Sequence, residues 1–226
     1  MRAVTMNIEK ARFNMIEQQI RPWQVLDPTV LSLLSLVKRE DFVPAAYQDL
    51  AFADLEIPIG ASRNAGQKML APKIEARMLQ ELGVRNTDTV LEIGTGSGYM
   101  AALLAAKAEY VYSVEIDSGL AETARNNLQR SGVANVSVET GDGAQGWPAR
   151  APYDAIMISA STPVLPEAIL RQLKIGGRLV AVVGEVPAMQ VQLVVRTEEN
   201  AFNTINIFET VVAPLANATQ SDRFVF

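Results

Sequence analysis

TVLEIGTGSGYMAALLA, residues 89–105, decides the fold. A short run of apolar and β-branched residues stops at three alternating glycines, and a helix-length apolar run follows. That is a strand, a tight turn and a helix, the opening of a βαβ unit. The same rhythm continues downstream. Strands are expected at 110–115, 136–140, 155–159, 177–183, 191–197 and 208–212, with helices at 98–107, 118–131 and 166–173. Strands alternating with helices imply an α/β fold with a mostly parallel sheet covered on both faces. The last strands follow one another with no helix between them, so at least one antiparallel pair is expected at the sheet edge.

Upstream the chain reads differently. MNIEKARFNMIEQQI, residues 6–20, is helical and ends at Arg21-Pro22. Asp27-Pro28 offers an N-cap followed by proline at the first helical position, and Leu31, Leu34 and Val37 form the apolar stripe of a second helix. Residues 41–69 are rich in Pro, Gly, Ala and Asp and read as an irregular wrapping segment, the kind of long loop that often lies over a site. Pro72 opens a further helix that Gly83 closes. Two parts are therefore expected within one compact unit: a helical and wrapping segment at 1–80 on the substrate side, and a core at 81–226.

Two absences narrow the chemistry. The chain has no cysteine, which removes disulfides, thiolate nucleophiles and zinc–thiolate sites together. It has no histidine either, so the commonest general base and metal ligand are missing, and no metal site is expected. Chemistry must run on carboxylates, hydroxyls, backbone donors or a bound cofactor. A net charge of −5 disfavours a duplex-binding surface, because phosphate neutralisation supplies most non-specific nucleic-acid affinity. The longest apolar run, 100–106, falls well short of the roughly 18–20 residues of a membrane span. With no apolar signal region in the first residues, a cytoplasmic address is expected by default, with neither nucleic acid nor membrane as partner.

The glycine loop sits where open α/β sheets bind ligands, beyond the carboxyl ends of the strands. Glycines let the backbone approach a ligand closely, although such turns also serve plain strand-to-helix packing. The spacing here is G-x-G-x-G rather than the dinucleotide pattern G-x-G-x-x-G. Glu92 stands two residues before the first glycine. Beside a pyrophosphate it would be repelled by about 4 kcal/mol per charge pair at roughly 4 Å. Beside a ligand carrying an ammonium and a sulfonium it is favourable. Glu115 ends the next strand, where an acid can accept from ribose hydroxyls. Asp142, in Gly-Asp-Gly at 141–143, could accept from an adenine amino group, and the same tripeptide is also ordinary turn chemistry.

With these residues in place, the chain resembles the protein-L-isoaspartate (D-aspartate) O-methyltransferase family of Rossmann-like, S-adenosylmethionine-dependent methyltransferases. The resemblance runs over nearly the full length. It rests on MIEQQIR, REDFVPAAYQDLAFAD, VLEIGTGSGYMAALLA, VYSVEID, GDG, YDAIMISAS and LKIGGRLVAVVG in that order. It implies a doubly wound, mostly parallel sheet with an antiparallel edge pair and a helical N-terminal extension. It implies S-adenosyl-L-methionine as cofactor, contacted by Glu92, Gly94, Thr95, Gly96, Gly98, Glu115, Asp142 and Gly143. Gln67, Lys68, Leu70, Ala160, Ser161, Thr162 and Pro163 would face the acceptor, an isoaspartyl residue of a damaged protein or peptide. The reaction suits a chain without histidine, since a carboxylate is already ionised at neutral pH and needs alignment rather than a base.

One departure bears on the acceptor. The family segment Gly-Gln-Thr-Ile-Ser is here Gly66-Gln67-Lys68-Met69-Leu70, so Leu70 stands at the active-site serine and Lys68 at the threonine. No catalytic side chain is therefore assigned. Either a drifted enzyme keeps the family reaction, or the fold and cofactor serve another acceptor, or the homologue binds cofactor without catalysis. The apolar tail Phe224-Val225-Phe226 packs on the domain or mediates a contact.

Overall fold

The computed structural model describes residues 7–60 and 66–220; the tail Phe224-Val225-Phe226 lies outside them. Helix α1 (Ile8–Asn14) is capped by the Asn7 side chain and runs on as a wider π-helical stretch, Met15–Ile20. A 3₁₀ turn at Arg21–Trp23 holds Pro22, which brings no N–H to continue the ladder, and Gln24 closes it with a left-handed φ of 62°. Helix α2 (Pro28–Leu36) begins as expected, with Asp27 accepting from the Thr29 N–H at 2.7 Å. The wrapping segment is 3₁₀ turns at Arg39–Phe42 and Ala45–Leu50. Strand β1 (Ile57–Pro58) then pairs antiparallel with β2 (Lys68–Met69).

After α3 (Pro72–Leu82), closed by Gly83 at φ 58°, comes the α/β core. Its elements are β3 (Thr89–Ile93), α4 (Tyr99–Ala105), β4 (Tyr110–Glu115), α5 (Ser118–Arg130), β5 (Val136–Thr140) and β6 (Tyr153–Thr162). There follow α6 (Glu167–Leu170), β7 (Leu173–Glu185), β8 (Ala188–Glu198) and β9 (Ala201–Glu209). The sheet order is β5-β4-β3-β6-β7-β8-β9. The first five strands of that order run parallel, and β8 and β9 return as an antiparallel meander. The sheet edge therefore carries two antiparallel pairs. The final strand lies at Ala201–Glu209 rather than 208–212, and the expected helix at 166–173 shrinks to α6, because β7 already starts at Leu173 to pair with Tyr153.

β3 lies between β4 and β6, and four of its five residues are buried, as a central parallel strand requires. Val90, Val111, Met157 and Val180 face α3, α4 and α5, in a cluster continuous with Met15 and Leu34 of the N-terminal helices. Leu91, Ile93, Ile156 and Leu179 face the other side, where Ile169 of α6 and loop residues such as Trp147 cover them. No helix among the described residues is long and apolar enough to cross a membrane.

The wrapping segment is fastened by Arg39, which is fully buried. Its Nε donates to the Ala51 carbonyl at 3.0 Å and its Nη2 to the Leu70 carbonyl at 2.9 Å. Its Nη1 pairs with Glu75 of α3, and its guanidinium lies 5.2 Å from the centre of the Tyr99 ring. Replacing it leaves two carbonyls and a buried carboxylate without their donor. Arg39→Ala is expected to cost about 3–5 kcal/mol in denaturant unfolding, and adding Glu75→Gln to recover part of that loss. A loss below about 1 kcal/mol would show that the pair does not fasten the segment.

Candidate functional site

The loop after β3 folds back on the end of β4. Gly94 N–H donates to the Val114 carbonyl at 2.9 Å, and Gly96 N–H donates to Glu115 Oε2 at 2.8 Å. Gly96 has a φ of +55°, and a Cβ there would lie 2.9 Å from Ile59 Cδ1. The left-handed φ favours glycine, and the contact shows the wrapping segment lying down on the loop. Gly98, at φ +87°, begins α4, and a Cβ there would press on Ala124 of α5 at 3.3 Å.

A cavity of about 320 Å³ opens above this loop. Gly94, Gly96 and Glu115 form one wall, and Gln67, Lys68 and Leu70 another. Ala160 also lines it, and Leu215 and Ala216 cover it from the C-terminal side. Glu115 is buried; its Oε1 accepts from the Asp117 N–H at 3.0 Å. Each Glu115 oxygen thus carries one hydrogen bond and keeps room for another.

Other sequence-derived residues lie elsewhere. Glu92 and Thr95 sit beneath the loop on a small void of about 30 Å³. The Ser113 hydroxyl donates to Glu92 Oε2 at 2.6 Å, Ser159 donates to Oε1 at 3.0 Å, and Thr95 Oγ1 meets Ser113 Oγ at 2.6 Å. Glu92 therefore ties β3 to β4 and β6, while the larger cavity is lined without it. Asp142 is exposed and off the cavity wall. Its Oδ1 accepts from the Ala144 N–H and its Oδ2 from Asn217 Nδ2, both at 2.9 Å. Gly143 packs on Ile93, with a Cβ there only 2.7 Å from Ile93 Cγ2.

The acceptor-side residues divide too. Ser161 and Pro163 line a second, outer cavity of about 460 Å³. The Ser161 hydroxyl donates to the Val212 carbonyl at 2.8 Å, so it fastens the C-terminal segment. Thr162 is buried and donates to the Val164 carbonyl at 2.7 Å. Leu70 is buried with its side chain on the cavity wall. Sequence reasoning missed Ser159, Ile59 and residues 212–217. Ser159 closes the expected strand 155–159 but lies inside β6, and its hydroxyl was the only local signal; the others are set by tertiary packing.

Burial pushes the Glu92 carboxyl up to about 8; the Ser113 and Ser159 hydroxyls pull the other way, and Glu115 and Glu75 add to the rise. Burial likewise pushes Glu75 up to about 7 against the pull of Arg39. An unfolded chain loses the Glu92 proton near 4.5, whereas the folded protein keeps it to about 8. The stability this provides is full below the unfolded value and is lost as pH rises through the folded one. In the absence of ligand, wild-type unfolding free energy is expected to fall between about pH 5 and 8, with a shallower fall in Glu92→Gln. Glu75 contributes in both proteins, so equal slopes would remove Glu92 as the source.

Comparison with known proteins adds to this geometry. The family model of protein-L-isoaspartate(D-aspartate) O-methyltransferase matches residues 10–220. A protein-L-isoaspartate O-methyltransferase from Rhodopseudomonas palustris is 42% identical over 90% of this chain and 92% of its own length. Another from Pelobacter propionicus is 41% identical over 94% and 93%. One from Methanoculleus marisnigri is 46% identical over 77% and 78%. Among solved structures, a Plasmodium falciparum chain described as a protein-L-isoaspartate O-methyltransferase, in complex with S-adenosyl-L-homocysteine, superposes with a TM-score of 0.75. It covers 93% of this chain and 99% of its own at 18% identity. A further protein-L-isoaspartate O-methyltransferase gives 0.77 at 25% identity, over 94% and 67%. The chain, matched by that model over nearly all its length, belongs to the protein-L-isoaspartate(D-aspartate) O-methyltransferase family.

Proposed function

We propose that this chain transfers a methyl group from S-adenosyl-L-methionine to the free carboxylate of isoaspartyl residues, a cytoplasmic protein-repair reaction. One observation carries the reading. A single cavity has the glycine loop and Glu115 on one side and the acceptor-facing residues Gln67, Lys68 and Leu70 on the other. The names of the relatives and the ligand of the Plasmodium falciparum structure supply the reaction class.

The residues fit the cofactor. Gly94 and Gly96 present backbone without side chains on the cavity wall, and Glu115 retains acceptor capacity for ribose hydroxyls. The cofactor supplies a methyl group activated on a sulfonium. The buried Glu92 places a carboxyl under the loop, where a cationic ligand favours its ionised form. Asp142 is the proposed acceptor for the adenine amino group; Asn217 donates to its Oδ2, which keeps room for a second hydrogen bond. Leu70 and Ile59 add apolar surface to a wrapping-side wall that also carries Glu56, Gln67 and Lys68, which leaves alignment of the ionised nucleophile as the main task. No base is required.

A second reading, the same cofactor with a different acceptor, is favoured by Leu70, whose side chain offers no hydrogen bond where the family has a hydroxyl. The two separate in one assay. The protein is incubated with cofactor and an isoaspartyl peptide or its aspartyl isomer. A base-labile methyl ester is expected on the isoaspartyl peptide alone. Glu115→Ala is expected to weaken cofactor binding by about 10–100-fold, the loss of charged hydrogen bonds. Tight cofactor binding with no ester on either peptide would favour the other acceptor.

A further inference from the structure

The inner cavity, above the glycine loop, and the outer cavity share five wall residues: Glu56, Lys68, Val212, Ala213 and Pro214. Among the described residues, Lys68 is the one basic side chain on either wall. Its Nζ lies 2.9 Å from Glu56 Oε2, and the two side chains are 44% and 28% exposed. The register of the short ribbon sets this up. Pro58 of β1 pairs with Lys68 of β2, so Glu56 lies just before the strand facing Lys68. Met69, one residue on, points the other way and is buried.

We infer that the outer cavity is the vestibule for the peptide around the acceptor residue, and that Lys68 holds the acceptor carboxylate by exchanging Glu56 for it. The inference rests on the isoaspartyl reading and extends it to the residue that receives the substrate. A solvent-accessible ion pair is weak, so a carboxylate entering the passage can take the ammonium from Glu56 at little cost. Leu70 cannot hydrogen-bond a carboxylate, and Lys68, two residues before it, brings both charge and donors to the same cavity wall. In the transfer, a carboxylate oxygen bonds to the methyl carbon as the carbon–sulfur bond breaks, with its electron pair left on sulfur. No proton moves. The ester is neutral, so its attraction to Lys68 disappears and Glu56 recovers its partner. Pairing with Glu56 thus promotes product release as well as holding the empty site.

The test is calorimetric binding of an isoaspartyl peptide to the full chain loaded with S-adenosyl-L-homocysteine, which reads acceptor affinity without turnover. Lys68→Met is expected to weaken binding about tenfold, Lys68→Arg to restore most of it, and Glu56→Gln to tighten it about threefold. Wild-type affinity in Lys68→Met overturns the inference. So does equal weakening in Lys68→Met and Glu56→Gln, which would mark the pair as structural. If wild type binds the peptide through Lys68 but forms no ester, the inference stands and the reading of the reaction falls. If the loaded wild type does not bind the peptide, both fall.

Discussion

A guanidinium with no access to solvent joins two backbone carbonyls and a side-chain carboxylate that lie 12, 31 and 36 positions along the chain. Arg39 reaches the carbonyls of Ala51 and Leu70 and the carboxylate of Glu75, and Tyr99 of α4 closes the space around it. A buried charge is costly unless its donors are satisfied, so this position is populated only when the wrapping segment lies against α3 and α4. Two consequences reach the site. Ile59 comes down on Gly96, and the β1–β2 ribbon presents Lys68 at the passage between the two cavities. The N-terminal part of the chain thereby supplies one wall of a cavity whose other wall is built by the sheet.

The sheet contributes a different constraint. Parallel strands β3 and β4 end beside β6, which runs on to Thr162, and Glu92, Ser113 and Ser159 join the three by hydroxyl-to-carboxyl hydrogen bonds under the loop. A carboxyl there is neutral in the free protein near neutral pH, with its value pushed to about 8 by burial. It therefore costs little when the site is empty and gains most when a cation arrives above it. Glu115 acts in the same direction from β4, holding the loop through Gly96 N–H while keeping acceptor capacity. With no histidine or cysteine in the chain, such placement of carboxylates is the form of electrostatic control left to it.

Much of this was legible in the sequence where the information is local. β3 and β5 are bounded by turn residues on both sides, and β4 by its own alternation of apolar and β-branched residues up to Glu115. β9 starts earlier than expected because Asn203, Thr204 and Asn206 interrupt the apolar Phe202 and Ile205, whereas Phe208, Val211 and Val212 give the stronger apolar signal further on. An edge strand half in solvent has no need of the apolar run that marks a central one. On the cavity wall, the glycine loop and Glu115 could be located because a backbone turn and a strand end are local features. The hydrogen bonds of Glu92 could not be foreseen, since its partners lie 21 and 67 positions away. The same holds for Asp142, whose second oxygen is engaged by Asn217, 75 positions on, and for Lys68, whose meaning comes from Glu56 across the ribbon.

The most direct test of the whole arrangement is a crystal structure of the chain with S-adenosyl-L-homocysteine and an isoaspartyl peptide bound together. The homocysteine derivative should lie on Gly94–Gly96 with its ribose at Glu115, and the peptide should run through the outer cavity with its free carboxylate on Lys68. A cofactor bound away from the glycine loop, or a peptide carboxylate bound away from Lys68 with the Glu56 pair intact, would contradict it.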